Sequence, residues 1–80
     1  MTDQEIIGRI DELIAEEHVL RAKAVGNGLS PDERLRFEQL EQRLNQCWDL
    51  LRQRRARAEF GENPDEAQAR PVGEVESYQQ

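Results

Sequence analysis

The segment GNGLSPDE, residues 26–33, decides the fold of this chain. Its Gly-Asn-Gly part accepts positive φ angles and is therefore typical of a helix end followed by a turn. Its SPDE part is typical of a helix start, because it combines a serine N-cap, a proline at the first helical position and a glutamate at the third. Two helices joined by so few residues lie side by side in opposite directions. The segment therefore predicts an antiparallel helical hairpin.

Apolar residues on both sides of this segment recur with the period of a helix. Before it, Thr2 and Glu5 have the spacing of a capping box, and the apolar stripe is formed by Ile6, Ile10, Leu13, Leu20 and Ala24, widened by Ile7 and Ile14. After it, the stripe is formed by Phe37, Leu40, Leu44, Cys47, Leu51 and Ala58. We therefore predict a first helix over about 3–25, a turn over 26–29 and a second helix over about 31–60.

Folding the chain about positions 27 to 29 brings the two stripes together. Apolar residues then face each other in four pairs: Leu20 with Phe37, Leu13 with Leu44, Ile10 with Cys47, and Ile6 with Leu51. The helix assignments did not impose this agreement, so it independently favours an all-α, coiled-coil-like hairpin over residues 1–61. The same fold places Asp3 and Glu5 near the arginines at the end of the second helix.

Residues 62–80 form an acidic C-terminal tail. The NPDE sequence at 63–66 repeats the pattern of cap, proline and two acids, and it predicts a short helix over about 64–69 that Pro71 ends. After Pro71, Val72, Val75 and Tyr78 are spaced by three residues, which permits another helical turn. The alternative is an extended tail.

An isolated two-helix hairpin is only marginally stable. The stripe of the first helix is wider than a two-stranded seam needs, Trp48 lies at the edge of the second stripe, and Leu50 lies off it. A second copy that completes a four-helix arrangement would cover these side chains, and so would the tail if it folded back. We favour the homodimer.

Composition excludes several classes of protein. The chain has 80 residues, a net charge of −6 and a single cysteine, so it offers no internal disulfide and no cysteine-based zinc site. We find no signal peptide and no apolar run of membrane-spanning length, so we expect a cytoplasmic protein that does not enter a membrane. The chain has one histidine, His18, and one core-facing thiol, Cys47, and it lacks a glycine-rich phosphate loop. We therefore predict no catalytic, metal or cofactor site. We therefore expect a non-enzymatic protein without a small-molecule substrate.

The leading hypothesis is a protein–protein interaction module. Its predicted partner surface consists of Trp48, Leu50, Arg52, Arg54, Arg55 and Arg57. The arginines could attract an acidic protein, or they could simply pair with the acids of the first helix and favour the helix C-terminus. Nucleic acid is not expected, because the chain is acidic and has few aromatic side chains for base stacking. Glu17, in the middle of the first apolar stripe, is expected to reach solvent or to pair with Arg21 or Arg43.

The hairpin tip suggests an alternative. Asp32 and Glu33 lie there, and factors that enter the secondary channel of RNA polymerase resemble this layout, since they carry acids at the end of an antiparallel coiled coil. The alternative function is therefore a regulator that docks on RNA polymerase or another large assembly. The same two acids are also ordinary first-turn residues of a capped helix.

The sequence QCWDLLRQRRA at residues 46–56 resembles the signature of a family of short actinobacterial proteins known only as a domain of unknown function. Residues 5–18, the PDEA sequence at 64–67 and the RPV sequence at 70–72 are similar to that family as well. The resemblance covers nearly the whole chain. It implies a bacterial, cytoplasmic and uncharacterised protein, and it carries over no functional residues.

Overall fold

A computed structural model of the protein describes residues 2–71. It contains helix α1 (Asp3–Asn27), helix α2 (Pro31–Glu59) and a single 3-10 turn (Pro64–Glu66), in that order. Residues 2–71 contain no strand, so this part of the chain is all-helical, as the sequence predicts. The two helices lie side by side and antiparallel: Asp3 pairs with Arg54 at one end of the hairpin, and Lys23 pairs with Glu33 at the other.

The turn between the helices forms through local backbone chemistry. Gly28 has φ +74°, and its N–H donates to the Ala24 carbonyl at 3.2 Å, which ends α1. The Ser30 hydroxyl then accepts from the Glu33 N–H at 3.2 Å, while the Glu33 carboxylate accepts from the Ser30 N–H at 2.9 Å. This reciprocal capping box starts α2. Thr2 caps the start of α1 through the Glu5 N–H.

The core lies in the seam between the helices. Its buried side chains are Ile6, Ile10, Leu13, Leu40, Leu44 and Leu51, and Ile14, Leu20, Cys47 and Leu50 pack against them. Phe37, which the sequence places in this stripe, is half-buried at its edge, with the Arg21 guanidinium 5.5 Å from the centre of its ring. The predicted stripes therefore meet along most of the hairpin.

Residues 62–71, which we call the docked segment, lie along α2. The helical part of this segment begins at Pro64 but is shorter than the predicted helix over about 64–69, since it consists of the 3-10 turn Pro64–Glu66 alone. Asn63 caps this turn by accepting from the Asp65 N–H at 3.0 Å, and the backbone is already extended at Ala67. Beyond the turn, side-chain amides of α2 donate to the carbonyls of Gln68 and Arg70. The remainder of the predicted tail, residues 72–80, lies outside the described residues.

Candidate protein-interaction surface

Arg54 is a buried residue that joins three parts of the hairpin. Its Nε donates to Asp3 Oδ1 at 2.6 Å, and its Nη1 donates to Asp65 Oδ1 at 3.0 Å and to the Pro64 carbonyl at 3.2 Å. The hydrogen bonds to Asp3 and Asp65 raise the pKa of the Arg54 guanidinium. Because the side chain is only 10% exposed, Arg54 anchors the start of α1 and the docked segment to α2 rather than facing a partner.

The other arginines of the predicted partner surface differ from one another. Arg57 lies 3.4 Å from the Glu62 carboxylate and 3.7 Å from that of Glu66, so it also faces the docked segment. Arg52 and Arg55 are exposed, and neither forms a salt bridge within residues 2–71. Of the four arginines, Arg52 and Arg55 are therefore the two without a salt bridge in the described part of the chain.

Asp49 is a buried carboxylate that the sequence analysis missed. It is 3% exposed, yet it lies on the side of α2 away from the core. It accepts from Arg70 Nε at 2.9 Å, from Arg70 Nη2, and from the Gln53 side-chain amide at 2.9 Å. These hydrogen bonds, those of Arg70 above all, lower the pKa of the Asp49 carboxyl. The pair fastens the end of the docked segment to α2.

A polar stripe on α2 is the sequence signal for this docking. Gln46, Asp49 and Gln53 are spaced by three and four residues, so they line one side of the helix. Gln53 Nε2 donates to the Gln68 carbonyl at 2.9 Å, and Gln46 Nε2 donates to the Arg70 carbonyl at 3.2 Å. Side-chain amides at helical spacing can thus bind an extended backbone.

The side of the hairpin that carries Trp48 is identified by a contact between the helices. On α1, Ile7, Ile14 and Arg21 are spaced by seven residues and therefore lie along one side of the helix. On α2, Phe37 and Trp48 are eleven residues apart, about three turns, and also share a side. Because the Arg21 guanidinium lies over the Phe37 ring, these two sides adjoin.

We define the Trp48 face as Ile7, Ile14 and Trp48. The Trp48 side chain is 42% exposed, Ile7 is 41% exposed, and Ile14 is half-buried. A shallow groove of about 360 Å³ runs beside Trp48 and is lined by Glu17, Glu41, Leu44, Asn45 and Trp48. Glu17 pairs with Arg21 at 3.1 Å, which is one of the two pairings expected from the sequence. The docked segment contacts the other side of α2.

Leu50 does not share this face. It lies two residues from Trp48 on a helix, hence about 200° around the axis, and it packs against the core on the side of the docked segment. There it lines a second groove of about 390 Å³ together with Ile6, Arg9, Arg43, Gln46, Cys47 and Ala69. The structure thus divides the predicted partner surface between two sides of the hairpin.

Cys47 contains the single thiol of the chain. It is half-buried beside the core, and this burial raises its pKa. His18 is exposed. Among residues 2–71 no three His, Cys, Asp or Glu side chains are placed to hold a metal ion, and no helix in that range is long and apolar enough to cross a membrane.

The two acids of the hairpin tip have different surroundings. The Glu33 carboxylate is bound by the Lys23 ammonium and by the Ser30 N–H, and these hydrogen bonds lower its pKa to about 2. Asp32 is exposed. Glu33 is therefore part of the turn, and only Asp32 faces solvent freely at this position.

These features define a small helical hairpin with a polar docked segment on one side and an exposed tryptophan on another. The chain belongs to the family described as protein of unknown function (DUF2630), which matches residues 2–80. It is similar to uncharacterised proteins of Mycobacterium bovis and of two strains of Mycobacterium tuberculosis. Each is 46% identical over 78 residues, which cover 96% of this chain and 90% of the relative. No solved structure matches the chain.

Proposed function

We propose that this protein is a non-enzymatic protein–protein interaction module that forms a homodimer through the Trp48 face. The observation that carries the proposal is a large aromatic side chain, 42% exposed, on the same side of the hairpin as the 41% exposed Ile7. The residues of α2 that hold the docked segment, Gln46 and Gln53, lie on another side of that helix. Partly exposed tryptophans bordered by polar residues are typical of protein interfaces.

The charges around Trp48 suit a second copy of the same chain. Glu41, Trp48 and Arg55 are spaced by seven residues on α2, so they form a row along the helix. Glu41 lies about 10 Å before Trp48 along the helix axis, and Arg55 lies about 10 Å after it. A twofold axis that passes beside Trp48, perpendicular to α2, places Glu41 of one copy opposite Arg55 of the other. Such a surface is complementary to itself, as a twofold interface requires.

Burial of Trp48 would supply much of the association energy. At 42% exposure, about 100 Å² of a large aromatic side chain leaves water when this face is covered. At about 25 cal/mol per Å² this contributes about 2.5 kcal/mol for each tryptophan, and a symmetric dimer buries two.

Sedimentation equilibrium over a range of protein concentrations tests the proposal. We expect the wild type to dimerise and Trp48→Ala to raise the dissociation constant at least tenfold. Phe60→Ala is the matched control, because Phe60 is 80% exposed but lies outside this face, at the end of α2. A wild type that stays monomeric up to about 1 mM would refute the dimer, and so would equal effects of the two variants.

A charge swap then tests the orientation. Glu41→Arg and Arg55→Glu are each expected to weaken the dimer, because each places like charges opposite one another. The variant that carries both changes restores opposite charges and is expected to recover most of the affinity. If the double variant were weaker than both single variants, the twofold arrangement about Trp48 would be wrong.

Docking on RNA polymerase or another large assembly through the acidic tip has less support, because Glu33 is held by Lys23 and by its own capping box. Asp32→Asn tests this alternative directly. If Asp32→Asn failed to capture a protein partner that Trp48→Ala still captured, the result would favour the tip over the Trp48 face.

A further inference from the structure

The groove on the side of Leu50 combines apolar and basic side chains. Its volume is about 390 Å³, and its apolar base is formed by Ile6, Cys47 and Leu50. Arg9 of α1 and Arg43 of α2 line it as well, and both are exposed. Among the described residues that line the groove none is acidic, although the chain carries a net charge of −6. A ligand for this groove therefore needs an apolar part together with a negative charge.

The charges of Arg9 and Arg43 are available to such a ligand, because neither arginine forms a salt bridge within residues 2–71. Hydrogen bonds from Arg36, at 2.8 and 2.9 Å, lower the pKa of Glu16, and the charge of Arg43 adds to this effect from farther away. Glu16 is thus already bound by another arginine. Burial raises the pKa of the Cys47 thiol, and the charge of Arg9 opposes this rise, which places that charge close to the apolar base.

The docked segment gives the groove a third side. The side-chain amides of Gln53 and Gln46 hold the carbonyls of Gln68 and Arg70, and Ala69, the residue between those two, lines the groove. The other lining residues come from α1 and α2. A groove with three sides and a volume of about 390 Å³ lies within the range of small-molecule sites, about 300–1,000 Å³. Its size therefore favours a small organic ligand.

We propose that this groove binds an aliphatic carboxylate of medium length, with the chain on the apolar base and the carboxylate on Arg9 and Arg43. Guanidinium groups bind carboxylates through strong, charge-assisted hydrogen bonds. The part of the groove on α2 extends over seven residues, from Arg43 to Leu50, which is about 10 Å along a helix. An extended chain of about eight carbons has nearly the same length, given carbon–carbon bonds of about 1.5 Å.

This inference does not rest on the proposed dimer. The groove and the Trp48 face lie on different sides of α2, because Leu50 and Trp48 are about 200° apart around the helix axis. A bound carboxylate would cover Leu50, which packs on the core without being fully buried, and would leave the Trp48 face exposed.

Isothermal titration calorimetry of the full chain tests the proposal, with octanoate as the probe. We expect saturable binding with a dissociation constant below about 1 mM. Octyltrimethylammonium has the same chain length and the opposite charge, whereas acetate has the charge without the chain. Each is expected to bind at least tenfold more weakly than octanoate, because the groove recognises the two parts of the ligand together.

Matched variants test the role of the arginines. Arg9→Gln and Arg43→Gln each remove one charge at an exposed position of the groove, and each is expected to raise the dissociation constant of octanoate about three- to tenfold. Arg52→Gln removes the same charge at an exposed position outside the groove and is expected to leave the constant within twofold of wild type. Trp48→Ala is also expected to leave it unchanged, so failure of the dimer and failure of this inference are distinguishable.

Cys47 reports whether the probe lies in the groove, because it lines the groove and is the only cysteine in the chain. Saturating octanoate is expected to slow the reaction of this thiol with a small uncharged disulfide reagent at least fivefold. Acetate at the same concentration is expected to leave the rate within twofold. The helical circular-dichroism signal and the melting temperature show whether any variant changes binding merely by unfolding.

Four outcomes would overturn the proposal. Octanoate could bind no more tightly than octyltrimethylammonium, or Arg52→Gln could weaken binding as much as Arg9→Gln and Arg43→Gln do. The Cys47 thiol could react at the same rate with and without saturating octanoate, because the carboxylate would then bind elsewhere. Finally, without octanoate, protection of the thiol could grow with protein concentration, because a second copy would then occupy the groove.

Discussion

Replacing Arg70 with alanine would leave the Asp49 carboxylate on α2 without its charged partner. In the native protein Asp49 is 3% exposed, and Arg70 binds both of its oxygens while Gln53 donates a third hydrogen bond. We expect Arg70→Ala to lower the free energy of unfolding and to release the end of the docked segment from α2.

The size of this loss in unfolding free energy depends on how far the Asp49–Arg70 pair is exposed to solvent. Breaking a fully buried pair costs about 3–5 kcal/mol, whereas exposed pairs contribute about 0.2–1 kcal/mol. The Asp49 side chain is 5% exposed but that of Arg70 is 32% exposed, so the pair lies between these limits. Moreover, Asp49 regains water once the docked segment moves away. We therefore expect a loss of about 1–2 kcal/mol.

A double-mutant cycle separates the pair from the other contacts of each side chain. Urea unfolding of the wild type, Asp49→Ala, Arg70→Ala and the double variant, followed by circular dichroism, gives the coupling energy. We expect about 1 kcal/mol for this pair. The Arg57–Glu62 pair, which is 3.4 Å apart and more exposed, is the control, with an expected coupling below about 0.5 kcal/mol. Equal coupling energies for the two pairs would refute the reasoning.

The same pair predicts a dependence on pH. The hydrogen bonds from Arg70 lower the pKa of Asp49 in the folded protein below its ordinary value of 3.8. A carboxyl whose pKa is lowered by folding stabilises the protein above its unfolded pKa, and this contribution is lost as the pH falls through the folded value. The stability difference between wild type and Asp49→Asn should therefore be constant above about pH 5 and shrink below pH 3.8. A difference that grew on acidification would contradict this assignment.

Two further predictions concern the hairpin itself, and both are measured by urea unfolding. Leu40→Ala, at a fully buried position, is expected to cost about 2–5 kcal/mol, whereas Leu35→Ala on the same helix, where the side chain is 55% exposed, should cost less than about 1 kcal/mol. Similar losses would mean that the seam is not the core. Gly8→Ala is expected to stabilise α1 by about 0.5–1 kcal/mol, since the new methyl group meets nothing within 4 Å. Gly28→Ala is expected to destabilise the turn by about 1–2 kcal/mol, because φ is +74° at that residue. Changes of the same sign at both glycines would contradict the described turn.

The hairpin could be predicted from the sequence because its determinants are local. The capping box of Ser30 and Glu33 and the positive φ of Gly28 depend on a few consecutive residues, and both are present in the structure. The periodicity of the apolar stripes likewise predicts the buried seam. Helix α1 extends to Asn27, because Gly28, rather than an earlier residue of the turn, has the positive φ that ends it.

The contacts of the docked segment could not be predicted in this way. They join residues that are distant in sequence, such as Asp49 with Arg70, and their side chains are polar, so hydrophobic periodicity does not mark them. Arg54 illustrates the same difficulty. Its position in the arginine cluster indicated a surface residue with acids from α1 nearby, and the acid of the docked segment, Asp65, completes its burial.

These contacts bear on the proposed self-association. From the sequence, a second copy and a folded-back tail are alternative covers for the same exposed apolar side chains. In the structure, the docked segment lies along the polar stripe of α2 on the side away from Trp48. The proposed second copy and the docked segment would therefore not compete for one surface. Because α1 covers the core side of α2 and the docked segment covers another, the side left exposed is the one that carries Trp48, Glu41 and Arg55, which is the side on which we propose that a second copy binds.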